Sequence, residues 1–125
     1  MIIGAHVLVY STDPEADRAF FRDVLELPAI DIGHGWMIFK LPPAEAAVHP
    51  EERSSAPSPA AHAMLRADLY LLCDDVQATL TALAAKGVRC SPVETERWGL
   101  RTKVPLPGGG EIGLYQPTHP TALDL

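Results

Sequence analysis

Cysteine is scarce in this sequence: only Cys73 and Cys90 occur, and they form no CxxC pair. That excludes a zinc clamp, a thioredoxin-type motif and a disulfide framework, so both thiols read as small hydrophobes of a reducing compartment. Long apolar runs are missing too, since none approaches the roughly 20 residues that a bilayer-spanning helix requires. The opening MIIGAHVLVY has neither the basic start nor the small-residue cleavage site of a secretory signal. A cytoplasmic protein without a membrane partner is expected. Positive charge is thin, with 10 Lys and Arg against 16 Asp and Glu, a net charge of −6 and no basic cluster. Nucleic acids and anionic lipid surfaces need a concentrated positive field, so neither is an expected partner. What is present is enough apolar residue, 47% of 125 positions, for one core but not for two independent ones.

The chain reads as two similar halves. Ile2 to Tyr10, apolar at nearly every position, predicts a strand covered on both faces. Asp13 then suits an N-cap, Pro14 the first helical position, and Phe20, Val24 and Leu27 recur at helical spacing before Pro28 closes the element. Trp36 to Leu41 predicts a strand, and AEAAVHP (Ala44 to Pro50) a further short one. Residues 51–63, rich in Pro, Ser and Ala, predict a flexible connector. The order then restarts. Ala67 to Cys73 predicts a strand, Asp74 or Asp75 caps a helix carrying Val76, Leu80 and Leu83 on one face, and Gly87 falls where a C′ glycine belongs. GVRCSPV, GLRTKVPLP and GGGEIGLYQP predict three more strands, with LPGGGE as a hairpin turn. The result is a βαβββ unit used twice in a single domain over 1–125: module 1 (1–50), linker (51–63) and module 2 (64–120).

With AHVLVYSTDPEADRAFFRDVLELP at the front and DLYLLCDDVQATLTALAAKGV opening the second half, the chain resembles the vicinal oxygen chelate superfamily. That group includes glyoxalase I, the bleomycin-resistance proteins, the fosfomycin-resistance enzymes and the extradiol dioxygenases. The likeness runs from Ile3 to Pro117 and rests on His6, the helix motif FFRDVLEL, the DDV helix start and the GGGEIGLYQP ending. It implies an α+β fold of two modules forming an incomplete mixed β-barrel around a concave surface, and a homodimer. In metal-dependent members the ligands come from the first and last strands of each module, positions that fall here on His6, Asp68, Ala46 and Gly113. Ala46 and Gly113 have no donor. Glu111, two residues before Gly113, shares its strand face. A shifted register would make His6, Asp68 and Glu111 a ligand set for Fe, Mn or Zn, as such a centre needs about three converging donors. The ordinary alternatives are a hydrogen-bonded histidine, a strand-end acid and a solvated turn residue.

Counting by twos along the strands puts Tyr10 with His6, Tyr70 with Asp68 and Tyr115 with Gly113, all on the expected concave side. Trp36 and Trp98, each beside a glycine, extend this set. Aromatic walls with a few polar tips suit a planar or apolar organic ligand, although inward aromatics also serve as plain core filling. His34, His49, His62 and His119 fall in turns, the linker or the tail and read as solvated. The expected function is capture of a small aromatic or hydrophobic molecule without an intact family metal site, similar to the bleomycin-resistance proteins. The ligand-binding residues are then His6, Tyr10, Trp36, Asp68, Tyr70, Trp98, Glu111 and Tyr115. The alternatives are a dioxygenase-like or glyoxalase-like lyase or isomerase with a divalent ion on His6, Asp68 and Glu111, and a metal-free enzyme using His6 or Asp68 as acid or base.

Overall fold

Asp13 starts the first helix by accepting the Ala16 N–H at 3.2 Å, and Pro14 fills the first turn, where a missing N–H costs nothing. Helix α1 runs Pro14–Asp23 in a computed structural model that describes residues 1–50 and 64–125. It stops short of Pro28: Leu25 and Leu27 donate back to the Phe20 and Phe21 carbonyls, and Glu26 takes a left-handed backbone at φ 56°. A hairpin follows, β1 (Ala29–Asp31) against β2 (Met37–Phe39), antiparallel. After the undescribed residues come β3 (Tyr70–Leu72), α2 (Val76–Ala85), β4 (Glu94–Glu96), β5 (Gly99–Pro105) and β6 (Glu111–Pro117). Asp75 caps α2 on the Ala78 N–H at 3.0 Å, and Gly87, at φ +79°, ends it.

The second half is a complete βαβββ unit. Its sheet has the order β3-β6-β5-β4, with β3 parallel to β6 and the other pairs antiparallel. Alternation along β5 and β6 splits the sheet into two faces. Thr102, Val104, Ile112 and Leu114 are buried on the side where Phe20 of α1 and Leu83 of α2 complete the core. Arg101, Lys103, Gly113 and Tyr115 alternate with them and face the other way. The chain is thus α+β with mixed sheets, and among the described residues these do not close into a barrel.

Several expected elements differ. Ile2 to Tyr10 is not a strand, and it is not covered on either face: it runs without regular pairing, with Ile3 96% and Tyr10 89% exposed. A strand needs a partner, and this segment finds none among the described residues. AEAAVHP likewise has no ladder, so the first half keeps only a helix and a hairpin of its unit. GVRCSPV is not a strand either. Pro92 lacks the N–H a ladder needs, and the strand forms instead at Glu94–Glu96. The connector expected over 51–63 lies outside the described residues.

Candidate functional site

The face of the sheet turned away from the helices carries a cluster of aromatic and charged side chains. Tyr70 on β3 and Tyr115 on β6 meet with ring centroids 5.7 Å apart at 81°. Trp98, in the turn before β5, meets Tyr115 at 4.8 Å and 90° and Tyr70 at 5.9 Å and 86°. Three rings in mutual edge-to-face contact direct positive edges onto negative faces, the arrangement that aromatic quadrupoles favour. All three are half-buried. Register explains the meeting: Tyr70 stands opposite Gly113, and Leu72 opposite Tyr115, on the parallel ladder. A Cβ at 113 would run into the Tyr70 ring, so the glycine is what lets the phenol lie over β6.

Polar groups rim this floor. Arg101, paired with Tyr115 on the β5–β6 ladder, has its guanidinium 5.9 Å from the Trp98 ring. Its Nη2 donates to Glu94 at 3.0 Å, and Nε lies 3.2 Å from Glu96. That second contact is an ion pair without a well-directed hydrogen bond, because the buried Nε–H has no aligned partner among the described residues. Burial alone lowers the Arg101 pKa, but Glu94, Tyr70 and Glu96 outweigh it and the guanidinium is held charged. Tyr115 is pushed above the ordinary tyrosine range, first by burial and then by the charges of Glu45 and Tyr70. Its hydroxyl lies 3.3 Å from His119 Nε2, and Glu45 accepts the Ala122 N–H at 2.7 Å in the same tail.

Of the residues expected here, the fold brings together Tyr70, Tyr115 and Trp98. Tyr10 instead lines a shallow cavity of about 450 Å³ with Thr12 and Gly108 to Gly110. Trp36 is half-exposed beneath the Arg18 guanidinium, 5.1 Å away. His6, Asp68 and Glu111 are exposed and do not converge: among the described residues no three His, Cys, Asp or Glu side chains group so as to hold an ion. The family's last-strand ligand position is closed as well, because the Tyr70 ring occupies the space into which a side chain at 113 would project. Among the described residues, the donors therefore do not fit the divalent metal that the resemblance implies.

Sequence reasoning missed Arg101, Glu94 and Glu96, and it read His119 as solvated. The charges could have been found from β4 and β5 alternation, which places Glu94, Glu96 and Arg101 on one face. His119 follows Pro117 and has no periodicity to reveal it.

A groove of about 550 Å³ opens on the opposite side of the sheet, between the end of α1, β3 and α2, lined by Leu25, Leu71, Cys73, Leu83 and Lys86 among others. Burial first, then the Asp74 and Asp75 charges, raise the Cys73 pKa against a lowering Thr79 hydrogen bond, and nucleophilic attack needs the thiolate. Lys86 is committed to the Val24 carbonyl at 3.0 Å and to Glu26 at 3.3 Å. No described helix is long and apolar enough to cross a membrane.

Comparison with known proteins places these features in context. The profile of the Glyoxalase/Bleomycin resistance protein/Dioxygenase superfamily matches residues 4–106. No curated protein sequence matches. Among solved structures, the chain is similar to the antibiotic binding protein TnmS3 from Streptomyces sp. CB03234, with TM-score 0.60, 24% identity, and coverage of 94% of this chain and 100% of that one. It is similar also to a glyoxalase/bleomycin resistance protein from the same organism, with TM-score 0.55, 25% identity, and coverage of 86% and 95%. A lactoylglutathione lyase from Agrobacterium tumefaciens has TM-score 0.56, 20% identity, and coverage of 86% and 88%.

Proposed function

The chain belongs to the Glyoxalase/Bleomycin resistance protein/Dioxygenase superfamily, and from that premise we propose that it captures a small aromatic or hydrophobic molecule on the Tyr70–Trp98–Tyr115 face, without the family's metal chemistry. Membership alone does not choose between binding and catalysis, since an antibiotic binding protein and a lyase share the fold. The residues support capture. The observation that carries the reading is the Tyr70 ring lying over Gly113: a glycine at the position to which the resemblance assigns a ligand offers no donor and leaves room for a floor under a planar molecule. Aromatic rings with a few fixed polar groups bind such ligands by burial and stacking.

The proposal extends to a homodimer. The aromatic face is open in one chain, while the apolar segment Ile2 to Tyr10 stands exposed and unpaired. A second copy brings matching apolar surface and strand edges to both. The protein is taken as cytoplasmic, where its two free cysteines stay reduced.

Titration with a panel of planar aromatic natural products tests the function. The expected result is a raised melting temperature together with tryptophan quenching that persists in Trp36→Phe and vanishes in Trp98→Phe. A panel that moves neither signal overturns the proposal. Metal analysis of protein purified without chelator separates it from the enzymatic alternative: stoichiometric Fe, Mn or Zn that is lost in His6→Ala would establish an ion site and refute metal-free capture.

A further inference from the structure

A short tail leaves the aromatic face at the end of β6. Its first residue is firmly tied: the Thr118 N–H donates to the Trp98 carbonyl at 3.0 Å and the Thr118 hydroxyl to the Arg97 carbonyl at 3.3 Å. His119, half-buried, comes next. Its ring lies 6.1 Å from that of Tyr115 at 38°, with Nε2 3.3 Å from the Tyr115 hydroxyl. The imidazole thus stands at the hydroxyl edge of the Tyr115 ring and walls that end of the face.

Beyond Pro120 the hold is slighter. Among the described residues, one hydrogen bond ties residues 121–125 to the rest of the chain, from the Ala122 N–H to the Glu45 carboxylate at 2.7 Å. Glu45 belongs to the first half of the chain, and its charge acts on Tyr115, so the tail spans from a carbonyl of one ring residue, past the hydroxyl of another, to an acid beside it. A net hydrogen bond favours the bonded state by about fivefold. That is enough to keep the tail mostly closed and too little to keep it always so.

We propose that residues 119–125 are a gate on the aromatic face, hinged at Thr118 and latched by Glu45. With the Ala122–Glu45 bond made, His119 closes the Tyr115 end; with it broken, the tail swings away and a ligand enters or leaves. The inference rests on the aromatic face being the binding site. Glu45 touches no ligand and acts through the tail, as a positioning residue. Because entry and exit pass the same gate, the latch sets both rates and leaves affinity nearly unchanged. A fivefold preference leaves the gate open about one-sixth of the time; without the bond it is open about half the time, a gain of about threefold.

NMR line-shape titration of the full chain with 2-naphthol as a planar probe, which yields Kd and both rates, tests this together with hydrogen exchange of the tail amides. Two variants break the latch from opposite ends: Glu45→Ala removes the acceptor, and Ala122→Pro removes the donor, since proline has no N–H. In both, tail exchange is expected to quicken and the on- and off-rates to rise about threefold, with Kd held within about twofold. Glu45→Gln, which still accepts the bond, is expected to stay near wild type. Unchanged tail exchange in both variants overturns the latch whether or not the probe binds, and faster exchange with wild-type rates overturns the gate. Faster rates in Glu45→Ala alone also overturn it, because they assign the effect to the charge beside Tyr115. Absence of any shift with 2-naphthol at millimolar concentration, in wild type and variants alike, overturns the binding reading and the gate with it.

Discussion

A Cβ at position 113 would stand inside the Tyr70 phenol ring, which gives the glycine a direct test. Gly113→Ala forces the ring off β6, and overpacking of this kind costs about 1–3 kcal/mol. The expected readout is a lower urea midpoint at unchanged slope, accompanied by a changed Trp98 emission, because Trp98 packs on Tyr70. Tyr115 gives a second test. Burial and then the Glu45 and Tyr70 charges raise its pKa. A group whose pKa is higher folded than unfolded contributes its stability below the unfolded value, about 10 for tyrosine, and loses it as pH rises through the folded value. Stability is therefore expected to fall above about pH 10, and to fall less steeply in Tyr115→Phe, as urea midpoints across that range will show. Tyr70 and Tyr115 were legible in the sequence because side chains two apart share a strand face, a rule that needs no knowledge of neighbours. Tyr10 obeys the same rule but belongs to a segment that makes no ladder among the described residues, so the rule had nothing to act on.

At the scale of elements, the segments that declare their own ends were the readable ones. Asp13 with Pro14, Asp75, and Gly87 after α2 mark helix boundaries by local hydrogen bonding and φ alone. β4 was unreadable for a complementary reason: Glu-Thr-Glu has little strand preference, and it is held by cross-strand pairing of Glu94 and Glu96 with Arg101. Contacts of long sequence separation join the elements. Asp17 is buried on α1 at 6% exposure and accepts the Gly108 N–H at 2.8 Å, while Thr12 donates to the Gly108 carbonyl at 2.7 Å. These bonds pin the turn between β5 and β6 to the start of α1. Asp17→Ala leaves that partly buried N–H unpaired, and a loss of about 1–3 kcal/mol is expected. Faster hydrogen exchange at residues 106–110 locates the effect, since a freed turn opens locally before the sheet does.

The whole molecule shows the duplication only in part. Module 2 is complete, whereas module 1 lacks its first and last strands among the described residues. Sequence could announce that Ile2 to Tyr10 is fit for a sheet, but which strand pairs with it is a non-local matter. The physical conflict is plain: Ile2, Ile3, Leu8 and Tyr10 are each more than half exposed, and burying one such side chain gains about 1.5–3 kcal/mol. β3 pairs with β6 on one side only, so its other edge is a ready acceptor for an added strand. In the homodimer we propose, two copies resolve both defects at once. Light scattering at micromolar concentration is expected to return twice the 13.5 kDa chain mass. Val7→Pro tests the strand directly, because proline removes a ladder N–H and is excluded from the middle of a sheet. That variant is expected to shift the protein toward monomer while α1, α2 and the β3-β6-β5-β4 sheet keep their circular dichroism. If Ile2 to Tyr10 instead contributed only loose apolar surface, Val7→Pro would leave the dimer intact and Ile3→Glu alone would weaken it, so the two variants together separate strand exchange from simple patch burial.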